Sequence, residues 1–139
     1  MAKNIKHRSD CPVSSVLDII GDKWTLLIIR DLFFNSQCTY GDFLKSAEKI
    51  ATNILADRLE RLEHTGIIQK QEHPESKAKV LYKLTEKGID MFPILVELVV
   101  WADKNLELPL ENNPILHGIR TYGKDKFIHV VTERLKKTI

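Results

Sequence analysis

Two groups of residues in this sequence have types and spacing that could do chemistry. The first centres on Cys11, which is followed at once by Pro12 and stands close after Arg8. Proline suits a first helical turn, where its missing N–H costs nothing. The thiol therefore stands at an expected helix start, beside a guanidinium, and both features favour thiolate over thiol. That environment suits an oxidant-sensing cysteine. The plainer reading is an inert, buried one, because free cysteine is among the most buried residue types. Cys38 reads as packing, and sequence alone does not decide whether the two thiols could pair.

The second group is Thr52, Asn53, Asp57, Arg58 and Arg61, joined further along by Lys77 and Lys79. An asparagine amide can bond adenine bidentately in a major groove, and arginine or lysine can neutralise phosphates. Each residue also has a simpler use. Thr52 can cap a helix end, Arg58 can lie along a core face, and an Asp57–Arg61 pair adds only a few tenths of a kcal/mol. Asp57, Glu60 and Glu63 make this segment slightly acidic. The cationic supply for a nucleic acid therefore falls to Lys77 and Lys79, helped by Lys3, Lys6 and Arg8. For any one of these lysines alone, a solvated surface is the default.

Composition limits what else the chain can be. At 139 residues it is long enough for one core and short for two domains of usual size. Hydrophobic residues at 43% and charged residues at 29% place it with globular proteins, away from disordered and membrane classes. The first residues lack the apolar centre of a signal peptide. The richest apolar run, Ile94 to Trp101, is interrupted by Glu97 and is too short to span a bilayer. The expectation is a cytoplasmic protein. A net charge of +2 requires any cationic surface to be local. Two cysteines build neither a disulfide framework nor a four-ligand zinc site. His7, His64, His73, His117 and His129 show no metal-ligand spacing, and no phosphate loop or hydrolase motif is present. No enzyme activity, metal or cofactor is expected.

The elements that must position these residues follow from periodicity. Val13, Val16, Leu17, Ile19 and Ile20 have helical spacing, and Gly21 ends that helix. Asp22 is an N-cap for an apolar helix over 23–34. Asn35 to Gln37 turns into a very short strand at Cys38-Thr39-Tyr40, and a short helix buries Phe43 and Leu44. The next helix covers 50–65, closed by Gly66. Ala51, Leu55, Leu59 and Leu62 share its inner face, with Asn53, Ala56, Asp57, Glu60 and Arg61 pointing away. Residues 67–72 and 79–84 read as a hairpin with an exposed polar tip at 73–78. Thr85 caps a helix running to about Leu106, bent at Pro93. Residues 108–123 read as a loop, and a final helix over 124–137 aligns Phe127, Val130, Val131 and Leu135. Ile94, Leu95, Leu98, Val99 and Trp101 exceed one core stripe; they form a dimer interface or are buried beneath the final helix. The expected fold is mainly α with a small two- to three-stranded antiparallel sheet, a winged helix-turn-helix with long dimerisation helices. Its parts are a polar arm at 1–10, the DNA-binding domain with its dimerisation helix at 11–106, and a loop and C-terminal helix at 107–139 packing on the same domain.

Three stretches carry a family resemblance. They are Cys11-Pro12-Val13 leading to Gly21-Asp22-Lys23-Trp24; Ile50-Ala51 through Leu55 and Arg58-Leu59-Glu60 to Gly66-Ile67-Ile68; and Tyr82-Lys83-Leu84-Thr85-Glu86-Lys87-Gly88 with Trp101 downstream. Together they resemble the HxlR type of MarR-like winged-helix regulators, over roughly residues 10 to 105. The resemblance implies a homodimer on double-stranded DNA with a palindromic operator. It also implies control of nearby genes, usually as a repressor, and often in response to reactive electrophiles or oxidants, with Cys11 at the sensing position. The sequence departs from the family where Ala51 replaces a usual serine and Ala56 a common threonine. Two other classes compete: a winged-helix protein–protein interaction module without sequence-specific DNA binding, and a thiol-dependent enzyme using Cys11. The enzyme lacks an evident histidine base.

Overall fold

Helical and strand periodicities are realised as eight helices and three strands among the described residues, which are 6–139 in this computed structural model. Lys3 of the arm lies outside them. The chain divides into two compact units, one ending at Gly88 and the other spanning Ile89–Ile139. The boundary between them falls within the segment expected as one helix up to about Leu106.

The first unit opens with α1 (Pro12–Ile20), with Cys11 as N-cap and Pro12 in the first turn. Gly21 closes it at a point where a Cβ would stand 2.3 Å from the Leu17 carbonyl oxygen. Asp22 then organises the next start. Its carboxylate accepts from the Trp24 amide (3.0 Å) and the Thr25 amide (3.2 Å), the bonds of an N-cap, although regular α2 (Thr25–Asn35) begins two residues later than such a cap would imply. β1 (Cys38–Thr39) and α3 (Tyr40–Leu44) follow, with a reciprocal capping box between Thr39 and Asp42. After α4 (Thr52–His64), β2 (Ile68–His73) and β3 (Ser76–Leu84) form the hairpin. The sheet is antiparallel in the order β1-β3-β2, with Cys38 opposite Tyr82 and Ile68 opposite Leu84. Ile28, Ile29, Leu32 and Phe33 of α2 are buried, as are Phe43, Leu55, Leu59, Leu62, Ile68, Leu81 and Leu84. Burying each such side chain contributes roughly 1.5–3 kcal/mol before entropy is counted.

The hairpin corrects the sequence reading. Its strands run on to His73 and Ser76, leaving Pro74 and Glu75 as the turn. The register is irregular between Glu72, which pairs with Val80, and His73, which pairs with Ser76, so Lys77, Ala78 and Lys79 bulge from the ladder with their side chains exposed. Lys77 is still a strand residue, not part of a loop tip.

The second unit differs more. A single bent helix from 85 to 106 does not form. α5 (Glu86–Ile89) stops, and α6 (Phe92–Asn105) starts afresh with Pro93 in its first turn, where proline neither loses a hydrogen bond nor clashes with a preceding carbonyl. The expected loop at 108–123 contains α7 (Pro114–Tyr122). The Asn113 side-chain oxygen caps it, accepting from the amides of Ile115 (3.0 Å) and Leu116 (3.1 Å). Gly118 of α7 lies so close to Phe127 that a Cβ would stand 2.1 Å from the ring. Gly123, at φ +80°, turns the chain into α8 (Lys124–Lys136), which buries Phe127, Val131 and Leu135. Val130 is half-buried. Leu95 is buried at 7% exposure, which removes it from the expected dimer stripe. Leu98 (50%) and Trp101 (60%) are exposed, and Ile94 and Val99 are half-buried. No helix among the described residues is long and apolar enough to cross a membrane.

Candidate nucleic-acid interface

α4 is 13 residues long, about 20 Å, and its one apolar stripe decides which side chains meet solvent. Leu55, Leu59 and Leu62 are buried, whereas Thr52, Asn53 and Ala56 are exposed. Asp57, Glu60 and Arg61 are half-buried, less open than the helical wheel suggests. Ala51 is an exposed N-cap rather than a member of the inner face, and it has no side-chain group to cap the first amides. The first turn is anchored instead by the Tyr40 hydroxyl, which donates to the Thr52 carbonyl at 2.6 Å. The last turn is closed by Gly66 at φ +78° and by the Lys87 ammonium, which donates to the Thr65 carbonyl at 2.6 Å.

The charged residues of α4 separate into two kinds. Arg58 is only 21% exposed and donates from Nε to Asp22 (2.9 Å) and from Nη1 to Asp57 (2.5 Å). Arg61 donates to the Asp18 carbonyl at 3.2 Å. Both arginines thus tie α4 to the end of α1 and the corner after it, and the expected Asp57–Arg61 pairing is replaced by Asp57–Arg58. Asn53 makes no side-chain hydrogen bond among the described residues. Lys77 and Lys79 stand exposed on the outer half of β3.

Sequence reasoning missed Tyr40 and Lys45. The fold brings both to a groove of about 400 Å³ between α3 and β3, where they meet Lys79, Asp42 and Tyr82. Lys79 lies over thirty positions from Lys45 in the sequence, so only the pairing of β3 with β1 brings them together. Asp42 sits below the usual carboxylate range, held there first by the Thr39 amide and also by the charges of Lys45 and Lys79.

Cys11 is exposed, and its side chain makes no cap hydrogen bond. Arg8 does not attend it. The Arg8 guanidinium lies 2.6 Å from Asp18, and the Arg8 amide donates to the same carboxylate. Cys38 is buried, as packing requires, and burial pushes its thiol up to about 12, aided by the charges of Asp31 and Asp42.

The sequence profile of the HxlR-like helix-turn-helix family matches residues 19–109, which is more than half of the chain. The chain belongs to the HxlR-like helix-turn-helix family. It is a transcriptional regulator built on a winged helix-turn-helix, with α3 and α4 as the helix pair and β2–β3 as the wing. The HTH-type transcriptional regulator YodB of Bacillus subtilis is 34% identical over 98 residues, covering 70% of this chain and 87% of YodB. The crystal structure of reduced YodB superimposes with a TM-score of 0.60 at 33% identity, covering 71% of this chain and 97% of that one. PA1607 superimposes with a TM-score of 0.66 at 39% identity over 76% of this chain and 72% of its own. The redox regulator HypR in its oxidised form gives 0.62 at 28% identity over 70% and 100%. These relatives are regulators rather than enzymes, and the same class is assigned here. The matched segment begins after Cys11, so the family assignment rests on the other two stretches and on the Gly21–Trp24 corner.

The HxlR-like corner at Asp22 has a measurable signature. Burial raises the Asp22 carboxyl, but hydrogen bonds from Thr25, Arg58 and the Trp24 amide outweigh it and bring the group down to about 2 from 3.8. A depressed folded value stabilises the fold above the unfolded value, and that contribution disappears as pH falls from about 4 through about 2. The size is on the order of 2 kcal/mol. Asp22→Asn should therefore be less stable than the parent at neutral pH, with the two converging toward pH 2. Urea midpoints between pH 7 and pH 2 measure this, and a constant gap would show that Asp22 is not the linked group.

Proposed function

We propose that this regulator binds a palindromic operator as a homodimer in the cytoplasm, usually as a repressor, and releases it when Cys11 is oxidised or alkylated. The observation that carries the DNA reading is the division of α4. Leucines hold one face in the core, and the exposed turn bearing Thr52 and Asn53 lies beside a hairpin carrying Lys77 and Lys79. Such a helix fits a major groove about 12 Å wide, and the wing lysines reach phosphates. Arg58 and Arg61, held by Asp22 and Asp18, serve as anchors of the reading helix in this proposal, with phosphate contact secondary.

Phosphate contacts release counterions and carry no sequence information, whereas base contacts do. Lys77→Ala with Lys79→Ala should weaken operator and random duplex alike and reduce the salt slope by about one per lysine. Asn53→Ala should cost about 1–3 kcal/mol on the operator alone. Binding isotherms at several salt concentrations decide between these roles. A full salt slope in the double variant would move the phosphate grip elsewhere, with Lys45 and the arm as the next candidates. A chain that binds neither operator nor random DNA at low salt would favour the protein-interaction module.

The dimer reading rests on apolar surface. α6 exposes Leu98 and Trp101 in an open groove with Ile94 and Val100, and such patches mark interfaces. Trp101→Ala should weaken self-association and operator affinity together, because paired half-sites require paired subunits. Sedimentation of the parent and the variant at matched concentrations checks this. An unchanged tight dimer would place the interface elsewhere.

The sensing reading rests on the exposure of Cys11 at a helix start and on likeness to HypR, a redox regulator, and to YodB, which has a quinone-bound crystal structure. Diamide or a quinone should release DNA from the parent and leave Cys11→Ser bound. Cys38→Ser should respond like the parent. A Cys11→Ser protein that still responds would eliminate this mechanism.

A further inference from the structure

One side chain of α2 reaches into the turn that joins α3 to α4. Arg30 donates from Nη1 and Nη2 to the two carboxylate oxygens of Glu48, at 2.8 and 2.9 Å. The same guanidinium donates from Nε and Nη2 to Asp31 Oδ1, at 3.0 and 2.8 Å. The second oxygen of Asp31 accepts from the Ser46 hydroxyl at 2.5 Å. Ser46 and Glu48 both belong to the turn, and between them and α4 stands Lys49, whose φ of +56° is a left-handed conformation that favours glycine. The backbone bonds of the turn are the Lys45 amide to the Asp42 carbonyl, the Ser46 amide to the Phe43 carbonyl and the Lys49 amide to the Ser46 carbonyl. Trp24, Leu27, Phe43 and Ile50 form the apolar floor beneath.

We propose that Arg30 is a positioning residue for sequence reading: its forked pairing with Glu48 and Asp31 holds the strained α3–α4 turn and thereby the angle at which α4 presents Thr52 and Asn53. The proposal rests on the reading of α4 as the DNA-reading helix. Arg30 itself faces the turn, with four of its five N–H donors engaged by Glu48 and Asp31. The Arg30 side chain is 26% exposed, and partly exposed ion pairs add little to global stability. A planar fork bonded on two edges nevertheless restricts orientation in a way a single ammonium cannot. Base-edge hydrogen bonds are lost with small angular errors, so the consequence appears in discrimination before it appears in melting.

The test uses the full chain with Arg30→Lys, which keeps the charge and loses the fork, and Glu48→Gln, which keeps the shape. Both variants should lower the ratio of operator to random-duplex affinity by about tenfold, the scale of one compromised base contact. Nonspecific affinity, salt slope and melting temperature should stay close to the parent. Amide hydrogen exchange should accelerate over residues 45–55 and stay unchanged over the hairpin at 68–84. Retention of the parent ratio and of slow exchange in either folded variant overturns the proposal. A proportional fall of both affinities with lowered melting also overturns it, because that is a merely structural role. If the parent itself does not discriminate operator from random DNA, the DNA reading fails, and hydrogen exchange still judges the clamp.

Discussion

Burial of the leucine stripe of α4 is the constraint on which the rest of the interface depends. Leu55 is fully buried, and Leu59 and Leu62 are nearly so. A helix with three such anchors has no rotational freedom about its axis, because turning it would expose apolar area at roughly 25 cal/mol per Å². The direction of Thr52, Asn53 and Ala56 into solvent is the geometric complement of that burial. The N-terminal half of α4 offers short side chains to a partner because the longer, charged ones further along are engaged with the protein.

That engagement explains an apparent conflict in the charge pattern. A DNA-reading helix that carries Asp57, Glu60 and Glu63 seems poorly suited to a polyanion. Asp57 is paired with Arg58, Arg58 with Asp22, and Arg61 with the Asp18 carbonyl. Glu63 pairs with Lys70 on β2 at 3.7 Å. Asp57 and Glu63 are thus each paired with a neighbouring cation, and these contacts frame the helix within the first unit. Asp18 also holds Arg8 of the arm, so the segment leading to Cys11 and the helix α4 are both fastened to the last turn of α1.

Much of this was legible in sequence because it rests on local patterns. The helix-turn-helix and wing order follows from spacing that switches between helical and strand periods. Gly66 ends α4 because only glycine takes φ +78° without strain. The errors are equally local in origin. The break at Asp90-Met91 is masked in the sequence because the apolar spacing continues across it. α7 was hidden by two prolines and two glycines, although Asn113-Pro114 followed by Ile115, Leu116 and Ile119 is a cap, a first turn and an apolar face.

By itself the sequence determined which residues could be inside, where helices start and stop, and membership of the HxlR-like family, because hydrophobic period, caps and turn residues act over a few positions. Tertiary structure alone decided the partners of the charged groups. Whether Arg58 meets a phosphate or Asp22, whether Arg8 attends Cys11 or Asp18, and whether Arg30 reaches Glu48 depends on elements far apart in the chain. A guanidinium on a flexible stem can serve any acceptor within its reach, so its choice is set by the acceptor that folding brings near it. The same holds for Leu95 and Trp101. Both belong to one apolar run, but they stand at different angles around α6, and folding buries Leu95 while leaving Trp101 in solvent.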